Sequence, residues 1–338
     1  MTPARFAEIT DRYASLRLAL VGDFCLDRYL EIDPARAETS IETGLPVHNV
    51  VRVRSQPGGA GTILNNLAAL GVGVIHPVGF CGEDGEGYEL KRAVARVPGV
   101  HGNLLVTPLR RTFTYCKPLV VAAGKTPVEL NRLDSKNWTA TPPAVEQALA
   151  ASIPQDKERP DAIIVLDQVD VPETGVVTRR LLDALRHLAS AHPQLRILGD
   201  SRRGLRDWPA ITFKMNVAEL GCMTSLPAAA SLVEIGNAAL ALARRNQREV
   251  FITLAERGIL GAAPNGEVEH VPCHPLRGEI DIVGAGDAVT ANLTTALAAG
   301  ATLREAIELA NAAASVVIHQ LGTTGTASVA QIRELLLP

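Results

Sequence analysis

The stretch that says most about this chain is Asp281-Ile-Val-Gly-Ala-Gly-Asp287, which leads straight into a predicted helix that ends at Gly300. Small residues before a helix leave backbone N–H groups uncovered, and the start of the helix adds partial positive charge. Together these features make an anion site, above all for a phosphate. Because Asp287 would repel a phosphate, we interpret it as a base that takes a proton from a hydroxyl. The alternative is a tight turn in which Asp287 merely caps the helix.

The composition narrows the class of protein. Of 338 residues, 47% are hydrophobic and only 4% aromatic, which favours a core of small aliphatic side chains around buried parallel strands. A net charge of -3 and scattered aromatics argue against a nucleic-acid partner. Five widely spaced cysteines indicate reduced thiols in a cytoplasmic protein. The polar first residues argue against a signal peptide, and no apolar run reaches the roughly 18 to 20 residues that cross a membrane.

Alternating strand and helix patterns predict the fold. Strands are predicted at 16–22, 72–80, 161–167, 195–200, 211–215 and 249–254, and a hairpin is predicted at Asn265-Gly266. The predicted helices run from the glycine turn at 57–61 to residue 70 and over 84–97, 175–191, 230–245, 287–299 and 303–320. This alternation predicts one α/β domain over residues 1–338, with a doubly wound, mostly parallel sheet. Polar strands within about 30–56 and 110–134 do not fit inside such a sheet, so we expect them to form a small β-sheet lid.

Polar side chains follow several strands of the predicted sheet. In doubly wound sheets, ligands bind beyond the carboxyl ends of the strands. The polar residues at these ends are Asp23, Asp27, Asp167, Asp200, Asn216 and Glu219. Each alone reads as a loop acid or a helix cap. Together with Asp287 they suit a hydroxyl-rich substrate and a hard cation such as Mg²⁺.

The glycine-rich turn and four basic residues each allow a functional and a purely structural interpretation. The turn Pro57-Gly-Gly-Ala-Gly61 indicates either close approach of the backbone to a ligand or a tight entry to a helix. The basic residues that either bind a substrate phosphate or lie in solvent are Lys117, Arg132, Arg202 and Arg203. The group His270, Cys273 and His274 fits an ordinary hairpin strand better than a zinc site. The sequence contains no GxxxxGK[ST] or GxGxxG loop, which argues against the P-loop and dinucleotide-binding classes.

An ordered set of motifs resembles the ribokinase-like (PfkB) carbohydrate kinase family over nearly the whole chain. The motifs are Gly22-Asp23 with Asp27, Pro57-Gly58-Gly59, Asn216-Val-Ala-Glu219, Asp281-x-x-Gly-Ala-Gly-Asp287 and Asn311-Ala-Ala-Ala. Within the family, the segments 21–29, 57–60, 132–134 and 310–314 are most similar to the heptose-7-phosphate kinase branch, which includes the kinase half of a bifunctional heptose kinase/adenylyltransferase. Since 338 residues leave no room for a nucleotidyltransferase domain, we expect the kinase alone.

The resemblance implies a ribokinase-like fold, ATP and Mg²⁺ as cofactors, and ATP-dependent phosphorylation of a hydroxyl on a sugar or sugar phosphate such as heptose 7-phosphate. It implies that Asp287 is the base and that the amides of Gly284, Ala285 and Gly286 form the anion hole. The implied substrate contacts are Asp23, Asp27, Gly58, Gly59, Lys117 and Asp167. The implied contacts of the nucleotide are Asn216, Glu219, Thr253, Gly258 and Asn311, of which Asn216 and Glu219 also organise Mg²⁺. Asp281 would belong to a loop for a monovalent cation such as K⁺, and the lid would close over the sugar and mediate a homodimer.

The sequence also departs from the family pattern. Ile282 and Val283 stand where the family often has a threonine, which leaves cation ligation at Asp281 to backbone carbonyls. A segment like SDYxKG reads Leu166-Asp-Gln-Val-Asp170 and loses its lysine, and Met215 replaces the proline before Asn216. These changes keep open a non-catalytic sugar- or nucleotide-sensing protein on a kinase scaffold. A nucleoside kinase is a further alternative, which the low aromatic content disfavours.

Overall fold

Strands and helices alternate along the part of the chain that the computed structural model describes, residues 1–122, 124–154, 159–227, 229–322 and 324–337. The strands are β1 (Arg17–Gly22), β2 (Phe24–Ile32), β3 (Glu38–Thr39), β4 (Pro46–Val47), β5 (Val50–Gly59), β6 (Val74–Val78), β7 (Phe80–Gly82), β8 (Leu105–Thr107), β9 (Thr114–Val120), β10 (Val128–Glu129), β11 (Leu133–Ser135), β12 (Ala162–Asp167), β13 (Arg196–Ser201), β14 (Thr212–Asn216), β15 (Val250–Thr253), β16 (Ile259–Ala262) and β17 (Val268–Val271). The helices are α1 (Pro3–Thr10), α2 (Ala60–Ala69), α3 (Gly85–Val94), α4 (Pro143–Ala151), α5 (Arg179–Ala191), α6 (Val217–Thr224), α7 (Leu232–Asn246), α8 (Ala285–Ala298), α9 (Leu303–Val317) and α10 (Val329–Leu336).

The main sheet, within the described ranges, has eight strands in the order β17-β16-β15-β14-β13-β12-β1-β6. Strands β6, β1 and β12 to β15 are parallel, and β16 and β17 are antiparallel. Alternate side chains of β1 enter opposite layers. Leu18 and Leu20 pack with α1, α2, α8 and α9, whereas Ala19 and Val21 pack with α4, α5 and α7. This arrangement confirms the predicted doubly wound α/β sheet with helices on both faces.

Helix α8 lies almost entirely inside the protein. Its residues 288–297 are all buried, and they include several alanines and threonines. The hydroxyls of Thr294 and Thr295 donate to the carbonyls of Thr290 and Ala291, at 2.9 and 2.8 Å, so these side chains satisfy themselves within the helix. Small side chains also let α2 and α9 pack closely against α8. The core therefore holds the start of α8 in place against the ends of the strands.

A second sheet forms the lid, in the order β10-β9-β2-β5, with β11 also paired to β9. The lid starts earlier than the sequence patterns predicted, because β2 begins at Phe24, with only Asp23 between it and β1. The lid strands predicted within about 30–56 also extend further than expected, because β5 runs from Val50 to Gly59. The chain therefore crosses directly from the main sheet into the lid and returns directly from β5 into α2.

Asp23 and Gly59 connect the lid to the main sheet. The amide of Ala60 donates to the carbonyl of Asp23 at 3.0 Å. Gly59 has φ +57°, and a Cβ built on it would lie 2.5 Å from that carbonyl oxygen. A Cβ on Gly61 would likewise lie 2.3 Å from the Cβ of Pro57. The glycine turn is thus explained at these two positions by a tight entry to a helix.

Four helices were missing from the sequence-based prediction, namely α1, α4, α6 and α10. Two helices were predicted to close the fold, but α10 follows them and packs Ile332 into the core shared by α1 and α9. The hairpin predicted at Asn265-Gly266 is confirmed as β16 and β17. Among the described residues, no helix is both long and apolar enough to span a bilayer.

Candidate active site

The first turn of α8 provides open amide groups. Gly284 is the N-cap with φ +85°, a conformation that favours glycine. The first helical hydrogen bond runs from the amide of Ala288 to the carbonyl of Gly284, at 3.0 Å. The amide of Ala285, which was predicted to be free, donates to the carbonyl of Ile282 at 3.2 Å. The amides of Gly284, Gly286 and Asp287 have no hydrogen-bond partner among the described residues, and the last two lie inside the first turn of the helix. This turn can therefore bind an anion, with the amides of residues 286 and 287 as its donors.

A cavity of about 240 Å³ lies in front of this turn. Its walls come from the ends of β12, β13 and β14 and from the starts of α6 and α8. The lining residues are Leu166, Gln168, Asp200, Arg202, Lys214, Glu219, Gly286 and Asp287. The structure therefore brings Gly286, Asp287 and Glu219 together at the carboxyl edge of the sheet.

Asp287 is half-buried at the mouth of α8. Burial raises the pKa of its carboxyl to about 7, and the nearby Asp200 carboxylate acts in the same direction, whereas Lys214 opposes the rise. A carboxyl that titrates near neutral pH is suited to accept a proton from a hydroxyl.

Lys214 is the residue of this site that the sequence analysis missed. Its Nζ donates to Asp200 Oδ2 at 2.8 Å, and Thr290 Oγ1 donates to the same oxygen at 2.8 Å. Burial alone lowers the pKa of Lys214, but the Asp200 carboxylate and its hydrogen bond outweigh burial, so the pKa is raised and the ammonium stays charged. The signal in the sequence was a lone lysine inside a predicted strand, 211–215.

Asn216 and Glu219 form a capping box at the start of α6. Asn216 Oδ1 accepts from the amide of Glu219 at 2.9 Å, and Glu219 Oε2 accepts from the amide of Asn216 at 2.7 Å. Burial raises the pKa of Glu219, although the amide of Asn216 opposes the rise. One carboxylate with a free oxygen beside an anion site fits Mg²⁺, which keeps waters and takes few protein carboxylates.

Asp27, Gly58 and Lys117 come together in the lid. Lys117 Nζ lies 3.4 Å from Asp27 Oδ1, 3.4 Å from the hydroxyl of Tyr29 and 4.9 Å from the centre of the Tyr29 ring. A Cβ on Gly58 would lie 2.5 Å from Asp27 Oδ2. Burial raises the pKa of Asp27, and Lys117 opposes the rise. Glycine at position 58 therefore leaves the Asp27 carboxylate the space it occupies.

Asp23 and Asp167 lie deeper, at the ends of β1 and β12. Asp23 accepts from the amides of Gln168 and Val176, at 2.8 and 2.7 Å. Asp167 Oδ2 accepts from Ser201 Oγ at 2.8 Å and from Arg203 at 2.7 Å. Burial raises the pKa of both acids, to about 7 for Asp167. Both oxygens of Asp23 and Oδ2 of Asp167 are thus bonded to neighbouring segments, whereas Asp167 Oδ1 is buried with no hydrogen-bond partner among the described residues. The role of the two acids as sugar ligands stays a prediction.

Two of the residues predicted near the nucleotide, Gly258 and Asn311, meet at one backbone segment. Asn311 Nδ2 donates to the carbonyls of Val271 and Pro272, at 3.0 and 2.8 Å. A Cβ on Gly258, which has φ +93°, would lie 2.1 Å from the same Val271 oxygen. Thr253 ends β15, where its Oγ1 donates to a carbonyl at 3.5 Å. These three residues lie outside the 240 Å³ cavity lining, and their nucleotide contacts stay predictions.

The remaining candidates bond to their local surroundings. Asp281 Oδ1 accepts from the amide of Val283 at 3.0 Å, so its side chain closes a turn. His270 and Cys273 bond to the carbonyls of Arg257 and Glu256, each at 2.7 Å, which agrees with the hairpin interpretation. Within the described ranges, His, Cys, Asp and Glu form no group of three or more placed to hold a metal ion.

Three arginines near the mouth of the site are ion-paired. Arg203 is bonded to Asp167, Arg202 lies 3.3 Å from Asp170, and Arg132 lies 3.0 Å from Asp134. Lys117 is also ion-paired, with Asp27 at 3.4 Å, and its contact with a substrate stays a prediction.

Comparison with known proteins agrees with this geometry. Residues 24–330 match the model of the pfkB family carbohydrate kinases. The chain is 32% identical over 321 residues to the bifunctional protein HldE of Gluconacetobacter diazotrophicus, and 30% identical over 343 residues to that of Bradyrhizobium sp.. These alignments cover 95% and 98% of this chain but 63% and 66% of the relatives, so the chain spans less than two thirds of their length.

Solved structures with the same fold include two sugar kinases. Phosphofructokinase-2 from Escherichia coli, in complex with fructose-6-phosphate, aligns with a TM-score of 0.68 at 19% identity, over 95% of this chain and 98% of that chain. Ribokinase from Arabidopsis thaliana, complexed with ribose and ATP, aligns with a TM-score of 0.65 at 18% identity, over 96% and 99%. At these identities the likeness concerns the fold, and it confirms the expected ribokinase-like architecture.

Proposed function

The chain belongs to the pfkB family of carbohydrate kinases, and we propose that it transfers the γ-phosphoryl group of ATP to a hydroxyl of a sugar or a sugar phosphate. The observation that carries this proposal is Asp287, a carboxyl with a pKa of about 7 at the open start of α8. It shares its cavity with a buried cation, Lys214, and a carboxylate, Glu219. A base, an anion site and a metal-binding acid in one cavity are the groups that phosphoryl transfer requires.

The reaction follows from this arrangement. Asp287 takes the proton of the acceptor hydroxyl while that oxygen bonds to the γ-phosphorus and the bond to the leaving oxygen of ADP breaks. The amides of Gly286 and Asp287 stabilise the charge on the phosphoryl oxygens. Catalysis then consists mainly of positioning and charge stabilisation. The start of α8 suits this task because the rest of the helix is buried and holds it in place.

Mg²⁺ would neutralise charge on the phosphates of ATP when it is bound. Asn216 and Glu219 would hold it, partly through waters, because the donor set offers few carboxylates. A K⁺ site at Asp281 remains part of the proposal, with the carbonyls of this loop as its ligands. The side chains of Ile282 and Val283 supply no oxygen for a cation.

The lid suits an acceptor that carries both hydroxyls and a phosphate. Asp27 can accept hydrogen bonds from sugar hydroxyls, and Lys117 next to it offers a positive charge to a phosphate. A sugar phosphate is therefore the preferred class of acceptor, and heptose 7-phosphate is the first compound to test.

A homodimer through the lid is supported by the exposed valines Val50, Val51 and Val53 on β5. A cytoplasmic location stays a prediction.

The test is ADP release from ATP and Mg²⁺ with a panel of sugars, sugar phosphates and nucleosides, each with and without K⁺. We expect turnover with a sugar phosphate and little with the nucleosides. Turnover confined to a nucleoside would support the alternative kinase class. Binding of ATP and a sugar, without turnover on any acceptor, would support a sensing protein and contradict the proposal.

A further inference from the structure

Lys214 has more hydrogen-bonding capacity than its surroundings use. A lysine ammonium carries three N–H donors, and the described residues give Lys214 one partner, Asp200 Oδ2. Only 8% of the residue is exposed, so bulk water does not surround it. Buried polar groups normally find partners, and a buried charge is costly unless it has them. The two remaining donors therefore need an acceptor close to the cavity.

The position of the ammonium identifies where that acceptor lies. A Cβ built on Gly286 would lie 3.3 Å from Lys214 Nζ, so the ammonium sits against the turn whose amides are open. The charged groups that line the same cavity are Asp200, Glu219, Asp287 and Arg202. Among these, Asp200 is held by both Lys214 and Thr290. Thr290 helps to hold Asp200, and so indirectly Lys214, in place.

We propose that Lys214 is a catalytic residue that contacts the phosphoryl group in transfer, as a built-in cation of the anion hole at Gly286 and Asp287. This inference rests on the proposed kinase function. Lys214 lies outside the motifs that carry the resemblance to the family. The Asp200 carboxylate and the Thr290 hydroxyl fix the ammonium before ATP arrives. Its two free N–H groups then donate to oxygens of the transferring phosphoryl group, where negative charge concentrates.

The alternative is that Lys214 only neutralises Asp200 inside the core. The single variant Lys214→Met cannot separate the two roles, because it leaves Asp200 buried and unpaired and so destabilises the fold. The double variant Asp200→Asn/Lys214→Met removes both charges, and its Asn keeps an acceptor for Thr290. If neutralisation were the only role, this double variant would fold and work like the wild type.

The decisive comparison uses the wild type, Asp200→Asn, the double variant and the control Lys91→Met on α3, which lies outside the cavity lining. We expect the double variant to unfold within a few degrees of the wild type and to bind ADP about as well. Its kcat should fall about 10²- to 10³-fold, the cost of losing one donor of an oxyanion hole. Asp200→Asn leaves the buried ammonium without its counter-charge and so lowers Tm. Because it keeps the ammonium, its kcat measured below that Tm should fall less than about tenfold. A double variant that keeps the kcat of the wild type overturns the proposal.

A binding measurement separates failure of this inference from failure of the kinase function. ADP, Mg²⁺ and aluminium fluoride together imitate the phosphoryl group in transfer, and their affinity can be measured by calorimetry without turnover. We expect the wild type to bind this combination at least tenfold more tightly than ADP with Mg²⁺, and the double variant to lose that gain. If the double variant keeps this gain in affinity, the role of Lys214 is refuted but the kinase function is not. A wild type that shows neither the gain nor any turnover refutes the kinase function, and the role of Lys214 with it.

Discussion

The two ends of the proposed active site are built differently. At the phosphoryl end, Lys214 and Asp200 are each 8% exposed, pair at 2.8 Å, and stand where neighbouring strands of the main sheet meet a buried helix. At the acceptor end, Asp27 and Lys117 pair at 3.4 Å on the smaller lid sheet, which exposes Val51 and Leu133 to solvent at 53% and 65%. Under the proposed function, the core fixes the groups that carry out the reaction, whereas a half-solvated sheet holds the groups that select the acceptor. Acceptor choice can therefore change without rebuilding the core.

The largest expected effect is at the phosphoryl end. Asp287→Asn keeps the shape of the side chain but removes the base, so kcat should fall about 10²- to 10⁴-fold, while the Kd for ADP changes less than about threefold. Coupled ADP-release assays and calorimetry measure these two quantities. Asp183→Asn, on the exposed face of α5, is the matched control and should change neither. A variant that keeps a tenth of the turnover of the wild type would remove Asp287 from the role of base.

The next effect is at the acceptor end. Gly58→Ala places a methyl group 2.5 Å from Asp27 Oδ2 and must displace that carboxylate. We expect the KM for the acceptor to rise about 10- to 100-fold, because small displacements of a positioning group are costly, and the KM for ATP to stay nearly constant. Gly85→Ala is the control, since a Cβ there meets no atom within 4 Å. Equal changes in both KM values would show that the two ends are not separate.

A smaller effect at the same end tests what Lys117 recognises. Lys117→Met removes the cation beside Asp27, and we expect the KM for a sugar phosphate to rise about tenfold, the value of one hydrogen bond to a charged group. The KM for the corresponding unphosphorylated sugar should change less than about threefold. Steady-state kinetics with both acceptors measure the difference. A similar loss for both acceptors would show that Lys117 only orients Asp27 and does not bind a phosphate.

The smallest effect concerns stability and pH. The pKa of Asp287 is raised by burial to about 7 from an ordinary value of 3.8. Between these values the folded state holds the proton more tightly than the unfolded state, so this carboxyl lowers the free energy of unfolding as pH rises through that window. Asp287→Asn should therefore raise Tm by a few degrees at pH 8 and leave it nearly unchanged at pH 4. Scanning calorimetry at both pH values checks this. An equal shift at the two pH values would contradict it, since the gain would not come from the charge.

Local patterns in the sequence predicted the central strands and the anion site. Strands β1, β12, β13 and β15 are apolar runs bounded by polar residues, and the turn at Asn265-Gly266 carries its own signal. The start of α8 was predicted for the same reason, because its small residues, acid and helix are contiguous. Strand β2 was missed because Phe24–Ile32 mixes charged and apolar residues, and its partner β9 lies some 90 residues further on. The pairing that makes it a strand is not local.

Lys214 escaped prediction for the same physical reason. From the sequence it is a single charged residue inside the strand Thr212–Asn216. Its meaning depends on Asp200 from the neighbouring strand and on Thr290 from α8, residues that come together only in the fold. Asp23 depends on the fold in another way. Its position at a strand end predicted a substrate contact, which stays a prediction, and the bonds of its oxygens to the amides of Gln168 and Val176 could not be predicted from local sequence.

The place of β1 in the main sheet has a consequence for how the chain is made. Its neighbour β6 follows within the first 80 residues, but its other neighbour, β12, begins at Ala162. Ribosomes add about 5 to 20 residues per second, so roughly 7 to 30 seconds separate the synthesis of β1 from that of β12. Until β12 emerges, one edge of β1 has no strand to pair with, and an unpaired edge invites association with other chains. The nascent chain is therefore most exposed to aggregation, and most in need of chaperones, while the residues between β1 and β12 are being translated.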